Sequence, residues 1–255
     1  MWFDSHCHLH ICEREDSLGD LLARARSNGV EQVVTIGIEL ASSERALTIA
    51  RENEEVFSSA GVHPNDATAW NDEAGERVDA LLSHDEVVAV GETGLDFYRD
   101  STPHDVQRAA FRDHIELAKR HGKPLVIHTR ESTTAAIEEL EAVDPPERLI
   151  FHCWSGNTDE LKRALKLGAH VSFAGNVSFK SADDLRAAAR LVPPDRLLVE
   201  TDSPFLAPVP YRGKPNEPAF VAAVGRAVAE ARGEDEDDVA RATTGNARRI
   251  FGLSR

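Results

Sequence analysis

The sequence predicts an α/β protein formed by a single (β/α)8 TIM barrel with an extra C-terminal helix. Short apolar runs, several of them rich in Val and Ile, alternate with longer segments of helical spacing, as buried parallel strands and crossover helices do. Eight such pairs in 255 residues occupy about 32 residues each, which suits βα units. No stretch resembles an interdomain linker, so we expect one domain over residues 1–255.

Eight apolar runs predict the strands. In chain order they are WFDSH (2–6), EQVVTIG (31–37), VFSSAGV (56–62), EVVAVGE (86–92), PLVIHT (124–129), RLIFHC (148–153), AHVSFAG (169–175) and RLLVET (196–201). Between them, apolar residues recur at intervals of three and four, as at Leu18, Leu21 and Leu22. Gly and Pro end the predicted helices, as in the Ser-Asn-Gly of 27–29. The acidic segment 233–238 predicts the loop and first turn of a final helix, because carboxylates stabilise helix N-termini.

The charge balance excludes several classes of partner. The chain has 29 Lys plus Arg against 44 Asp plus Glu, a net charge of −15 at pH 7. This excess argues against broad, non-specific binding to duplex DNA and against an anionic membrane surface as partner. Three cysteines offer no disulfide framework, and no apolar run is long enough to cross a membrane. We therefore expect a cytoplasmic protein with no membrane partner and no obligate protein partner.

Side chains that can bind metal follow six of the predicted strands. In chain order they are His6, His8, His63, Glu92, His128, His152 and Asp202. His6 and His8 alternate along an extended chain and therefore share a face. Each residue taken alone has an ordinary structural explanation, either as a satisfied core histidine or as a carboxylate that caps a helix.

Taken together, these positions favour a catalytic metal site. In a (β/α)8 barrel the carboxyl ends of the strands converge on one mouth, where such enzymes place their chemistry. A set of His, Glu and Asp without thiolate suits Zn, Mn or Mg used in catalysis, and it is large enough for two ions about 3.5–4 Å apart. Five other histidines are expected to lie away from this mouth, namely His84, His104, His114, His121 and His170. His10 is expected close to the mouth, in a loop beyond the His6–His8 pair.

In these residues and their order, the chain resembles the TatD family of metal-dependent hydrolases, which are amidohydrolase-like barrels. The motifs that carry the resemblance are Asp4-Ser-His-Cys-His8, Gly61-Val-His-Pro64, Gly91-Glu-Thr-Gly-Leu-Asp-Phe-Tyr98, Val126-Ile-His-Thr-Arg130, Phe151-His-Cys-Trp-Ser-Gly156, Glu200-Thr-Asp-Ser-Pro-Phe205, Tyr211-Arg-Gly-Lys-Pro-Asn-Glu-Pro218 and Asn246-Ala-Arg-Arg-Ile-Phe-Gly252. They run from residue 4 to about residue 252, which is nearly the whole chain.

The resemblance implies a binuclear metal site that uses two divalent ions (Mg, Mn or Zn). His6 and His8 would bind the first ion, His128 and His152 would bind the second, and Glu92 would bridge the two. The bridging carboxylate separates this chain from related barrels that use a carboxylated Lys. All five residues therefore enter the predicted metal-ligand set.

The resemblance also implies catalytic roles. Asp202 would bind the first ion and orient or deprotonate the attacking water, and His63 would contact the scissile phosphate. The predicted catalytic residues are thus Asp202, Glu92 and His63. Three basic residues lie on predicted mouth loops, namely Arg130, Arg212 and Lys214. They would either bind flanking phosphates, together with His63, or be ordinary surface charges.

The implied activity is hydrolysis of DNA phosphodiester bonds, as a 3′-to-5′ exodeoxyribonuclease that acts on the ends of single strands. Members of the family often carry His at the position of Asn65 and Tyr at the position of Phe205, so this chain departs from the pattern at the rim. Two alternatives remain open from the residues. The same site could hydrolyse a small ester, amide, lactone or nucleobase, or the barrel could be a non-catalytic binding protein with structural histidines.

Overall fold

Parallel strands alternate with helices along the chain. The computed structural model describes residues 1–99 and 101–253, and within them eight strands form a sheet in the order β1 to β8. The strands are β1 (Trp2–Cys7), β2 (Val30–Thr35), β3 (Val56–Ala60), β4 (Val87–Asp96), β5 (Leu125–Arg130), β6 (Leu149–Phe151), β7 (His170–Phe173) and β8 (Leu197–Val199). This order and the helices between the strands confirm the predicted (β/α)8 class.

Helices occupy the segments between the strands and the C-terminus. They are α1 (Leu9–Cys12), α2 (Leu18–Ser27), α3 (Leu40–Glu52), α4 (Asp72–Leu81), α5 (His104–His121), α6 (Thr133–Glu141), α7 (Thr158–Lys166), α8 (Asp183–Leu191), α9 (Val221–Arg232) and α10 (Glu236–Phe251). Since α9 and α10 both follow β8, the extra C-terminal helix is confirmed. Asp235 caps α10 by accepting a hydrogen bond from the Asp237 N–H, as the acidic segment predicts.

By its contacts the chain divides into two compact units, and the prediction of one domain over 1–255 stays a prediction. The first unit, Met1–Thr35 with Val171–Arg255, brings the two chain ends together. In its core the rings of Phe3 and Phe251 stack with centroids 6.0 Å apart. Asn246 on α10 donates hydrogen bonds to the carbonyls of Pro194 and Leu197, which anchors the last helix beside β8.

The second unit, Ile36–His170, is continuous in sequence and contains β3 to β6. Its core includes Phe111 and Ile115 of α5, both buried. The buried amide of Gln107 on α5 accepts from the Asp96 N–H and donates to the Asp96 carbonyl, so it clamps the end of β4. Within the described part of the chain, no helix has the length and apolar character needed to cross a membrane.

Strand β4 extends to Asp96, four residues beyond the run predicted to end at Glu92. Gly94 pairs with His128 and Asp96 pairs with Arg130, so β4 follows β5 to its end. Gly94 adopts a φ of 132°, and a Cβ there would overlap the carbonyl oxygen of His128. Gly94 therefore allows the two backbones to approach closely.

Candidate metal centre

The first group of candidate ligands lies in the first unit, and we call His6, His8 and Asp202 the β1–β8 group. His6 is in β1 and His8 follows it directly, and their Nε2 atoms are 3.3 Å apart. Asp202 Oδ1 lies 3.6 Å from His6 Nε2 and 3.3 Å from His8 Nε2. Both histidines are buried. Two imidazole nitrogens and a carboxylate thus converge on one point, as the alternation of His6 and His8 predicts.

Backbone hydrogen bonds hold the loop after β8 against β1. The Asp202 N–H donates to the carbonyl of His6, and the His8 N–H donates to the carbonyl of Ser203, at 2.9 and 2.8 Å. Asp202 has a φ of 54°, a left-handed conformation that Asp tolerates better than most residues. The loop therefore aims the carboxylate of Asp202 at the two imidazoles.

Beneath this group, Asp4 anchors the same loop. Its carboxylate accepts hydrogen bonds from the N–H and the hydroxyl of Thr201, at 2.8 and 2.5 Å. Burial raises the pKa of Asp4 to about 8, although the hydrogen bonds from Thr201 oppose that rise. Asp4 therefore acts as a buried link between β1 and the loop that carries Asp202.

The second group of candidate ligands lies in the second unit, and we call His63, Glu92, His128 and His152 the β3–β6 group. Glu92 Oε1 is 2.8 Å from His152 Nε2, 2.9 Å from His128 Nδ1 and 3.6 Å from His63 Nε2. Burial opposes ionisation of Glu92, but the imidazoles of His152, His63 and His128 outweigh it and hold its pKa well below the usual range. His63, Glu92 and His128 lie close enough together to share one metal ion.

Asp96 supports His128 from its other side. Asp96 Oδ2 lies 3.5 Å from His128 Nε2, opposite the Nδ1 that faces Glu92. Burial lowers the pKa of His128, but the neighbouring carboxylates of Asp96 and Glu92 reverse this effect and leave it raised. Sequence reasoning missed Asp96. The available signal was a second carboxylate four residues after Glu92 in a strand that is otherwise apolar.

Asn65, one of the two departures from the family pattern, has a structural role. Its Nδ2 donates to Asp96 Oδ2 at 3.1 Å, and its Oδ1 accepts from the Ser101 hydroxyl at 3.1 Å. The carbonyl of Asn65 accepts from the Thr102 hydroxyl at 2.8 Å. Because both ends of the amide are engaged, Asn65 ties the segment after β4 to the carboxylate behind His128.

His63 is held as a neutral imidazole. Its Nδ1 accepts a hydrogen bond from the Asn65 N–H at 3.1 Å, which leaves the proton on Nε2, the nitrogen that faces Glu92. Burial and the neighbouring His128 lower the pKa of His63 to about 3. His63 therefore presents an Nε2–H donor at neutral pH.

The three basic residues predicted to contact phosphate lie outside both groups, whereas His63 belongs to the β3–β6 group. Arg130 and Arg212 are exposed and lie over aromatic rings, Arg130 over Tyr98 at 3.8 Å from the ring centre and Arg212 over Phe179 at 3.9 Å. Lys214 is exposed on the loop after β8. Phe205 is 51% exposed, and its ring lies 5.9 Å from that of His8, so this departure from the family pattern is at the rim of the β1–β8 group.

The other histidines have separate roles, and one prediction about them is wrong. His10 is not in a loop, because it lies buried in the single turn of α1 with its ring 5.8 Å from that of His8. The short turn was missed because four residues carry too little periodicity to predict a helix. His114 on α5 is buried, donating from Nδ1 to the Ala110 carbonyl and accepting from the Val62 N–H at Nε2.

The chain has known relatives that match it over nearly its whole length. The sequence model of the family described as TatD related DNase matches residues 3–252. A protein of Mycobacterium tuberculosis named an uncharacterized metal-dependent hydrolase TatD is 40% identical over 258 residues, which cover 98% of this chain and 97% of that protein. A protein of Cronobacter sakazakii named 3′-5′ ssDNA/RNA exonuclease TatD is 35% identical, covering 98% of this chain and 97% of that protein.

Solved structures show the same fold. The crystal structure of YJJV, a TatD homologue from Escherichia coli, matches with a TM-score of 0.92 and 28% identity, covering 99% of this chain and 98% of that one. A hydrolase of the TatD family from Entamoeba histolytica matches with a TM-score of 0.87 over 99% of this chain and 98% of that one. At 19% identity the second match bears on the fold alone.

Proposed function

The chain belongs to the family of TatD-related DNases and is a metal-dependent hydrolase, and from this premise we propose that it removes nucleotides from the 3′ ends of single-stranded DNA. The proposal includes two divalent ions (Mg, Mn or Zn), one held by each ligand group. It is supported by the relative named a 3′-5′ ssDNA/RNA exonuclease. The observation that carries it is the carboxylate of Glu92, which meets three imidazole nitrogens within 3.6 Å.

The donor atoms fit divalent cations. In the β1–β8 group, His6 and His8 would hold one ion through their Nε2 atoms together with Asp202. In the β3–β6 group, Glu92, His128 and His152 would hold another, and the bridging role of Glu92 stays a prediction. Neutral imidazoles and an ionised carboxylate are the forms in which these side chains bind metal, and the lowered pKa of Glu92 provides the latter.

The protein's own residues supply the remaining chemistry. When bound, the ions would lower the pKa of a water and balance the charge that develops on the phosphate. Asp202, half-buried near the start of the loop after β8, would accept the proton of the attacking water. His63 would donate its Nε2–H to a phosphate oxygen, because Nδ1 is already occupied by the Asn65 N–H.

The direct test is cleavage of a 3′-end-labelled single strand in the presence of Mg²⁺ or Mn²⁺. We expect release of the labelled mononucleotide first, complete inhibition by a chelator, and at least a hundredfold slower release by Asp202→Asn, by analogy with other single catalytic groups. Release of internal fragments would contradict the exonuclease assignment. Preference for a small ester, amide or lactone over every oligonucleotide would favour the alternative hydrolase. The expected cytoplasmic location and the lack of an obligate partner stay predictions.

A further inference from the structure

An exposed aromatic ring and an arginine form a pair at the carboxyl ends of β4 and β5. Tyr98, two residues beyond the end of β4, is 57% exposed, the most open aromatic side chain among the exposed hydrophobic residues of the described chain. The guanidinium carbon of Arg130, the last residue of β5, lies 3.8 Å from the centre of its ring. One side of the ring is therefore backed by a planar cation while more than half of the residue stays open to solvent.

The backbone on both sides of this pair is held in place. Asp96 Oδ1 accepts hydrogen bonds from the N–H groups of Tyr98 and Arg99, each at 3.0 Å. The Arg130 N–H donates to the Ser132 hydroxyl, which donates in turn to the carbonyl of Leu95 at 2.6 Å. The backbone that carries both side chains is therefore anchored at the ends of β4 and β5.

A single carboxylate connects the pair to the candidate ligands. Asp96 holds Tyr98 through Oδ1 and faces His128 through Oδ2, at 3.5 Å from Nε2. Arg130 also follows His128 by two residues in β5. Tyr98 and Arg130 are thus linked to His128 of the β3–β6 group, Tyr98 through the carboxylate of Asp96 and Arg130 through two residues of β5.

The chemistry of the pair suits an unpaired nucleobase. Every base has a flat π-face, and proteins that bind single strands stack such bases on aromatic side chains, often with an arginine adding cation–π attraction. A lone phosphate would be drawn to Arg130 and could accept a hydrogen bond from the phenol hydroxyl, but it would gain nothing from the open face of the ring. The net charge of −15 makes stacking a more useful source of affinity here than additional phosphate contacts.

We propose that Tyr98, backed by Arg130, is a stacking platform for an unpaired base of the substrate strand next to the scissile bond. The proposal rests on the proposed function, because it names how that site would recognise its substrate. Tyr98 acts here through its ring alone, so the hydroxyl is dispensable. The platform requires a base but reads no sequence, since all four bases can stack.

The test compares two matched oligonucleotides, one with a normal 3′-terminal nucleotide and one with an abasic 3′-terminal residue. For the wild-type protein with Mn²⁺ we expect kcat/KM to be at least about tenfold lower on the abasic strand. Tyr98→Ala should lose a similar factor on the normal strand and little more on the abasic one. Tyr98→Phe should retain nearly full activity, and so should Leu191→Ala, a control at a 52% exposed position on α8.

Two results would overturn the platform. One is an unchanged kcat/KM for Tyr98→Ala, and the other is an equal loss on both strands, which would mean that Tyr98 does not contact a base. Absence of cleavage by the wild type would instead refute the proposed function. In that case the binding of the same two strands, measured by fluorescence anisotropy, still tests the platform. The wild type should bind the normal strand more tightly than the abasic one, and Tyr98→Ala should abolish this difference.

Discussion

Asp96 connects four residues of the second unit through one carboxylate. It accepts from Asn65, Tyr98 and Arg99 and faces His128. Carboxylates placed behind a ligand histidine fix its ring orientation and increase its basicity as a ligand. Asp96 is therefore best described as a positioning residue for His128.

Replacing Asp96 by Asn is expected to weaken metal binding. The variant keeps the size of the side chain but removes the charge that faces His128 Nε2, so affinity for Mn²⁺ should fall about 10- to 100-fold in calorimetric titration. Glu92→Gln, which changes a direct ligand candidate, should lose more. Asp66→Asn, at an exposed carboxylate outside both groups, serves as the control. Unchanged affinity in Asp96→Asn would contradict the positioning role.

The stability of the protein should depend on pH through His114. Burial lowers the pKa of His114 to about 4, so the folded protein keeps this ring neutral while the unfolded chain protonates it near pH 6.5. Between these values the unfolded state binds more protons, and the free energy of unfolding therefore falls as pH decreases. The full effect of this one group is roughly 3 kcal/mol, present above pH 6.5 and lost by about pH 4.

The measurement that isolates this effect is urea unfolding of wild type and His114→Phe at several pH values. The variant should be less stable by about 1–3 kcal/mol at pH 7, because the buried Val62 N–H loses its acceptor. The difference should shrink as pH falls from 7 to 4. Other titrating groups, such as Asp4, are common to both proteins. A difference that stays constant with pH would exclude His114 as the cause.

At the scale of single residues, the two ligand groups could be predicted but their supports could not. His6, His8, Glu92, His128 and Asp202 each follow an apolar run, and that position is visible in the sequence. The contacts of Asp96 with Asn65 and His128 join residues of three different βα units. No local pattern encodes such a contact, so only the packed strand ends reveal it.

At the scale of secondary structure, strand existence was predictable and strand ends were not. All eight predicted runs contain the observed strands wholly or in large part, because buried parallel strands are apolar throughout. The end of β4 was predicted four residues early, because a glycine such as Gly94 interrupts an apolar strand pattern even where it serves a close approach of two backbones. Only the partner strand, β5, decides where β4 ends.

Gly94→Ala should therefore be much more disruptive than an ordinary Gly→Ala change. The new Cβ would overlap the His128 carbonyl and force β4 away from β5, so we expect a loss of at least about 3 kcal/mol in the free energy of unfolding and weaker metal binding. Gly122→Ala is the matched control, because its φ of 59° is also left-handed but its Cβ would meet open space. Its expected loss is about 1 kcal/mol. Equal losses would show that the close approach of the strands is unimportant.

At the scale of the whole molecule, the net charge limits how nucleic acid can be bound. With 29 basic residues against 44 acidic ones, affinity cannot come from a broad basic surface. Few phosphates should be contacted through side-chain charge, with Arg130, Arg212 and Lys214 as the candidates. Binding should therefore be local and should respond only weakly to salt.

The salt dependence of binding to a phosphorothioate single strand checks this expectation. For three or fewer phosphate contacts the slope of log K against log salt concentration should be no steeper than about −2, since each contact adds about −0.7. Lys214→Ala should make the slope shallower by about 0.7 if this residue binds phosphate. Lys162→Ala, at an exposed lysine paired with Asp159 on α7, should leave it unchanged. A steeper slope would reveal a basic surface that the composition does not suggest.

The discontinuity of the first unit has a consequence for how the protein is made on the ribosome. Asp4 and Thr201, whose hydrogen bonds join the two ends of the chain, are 197 residues apart. At about 5–20 residues per second, translation of that stretch takes about 10–40 s. During this time β1 has no β8 to accompany it, whereas the last candidate ligand of the second unit, His152, is synthesised 50 residues before Asp202. The β1–β8 group is therefore completed last, and a nascent chain cannot assemble it until synthesis is nearly finished.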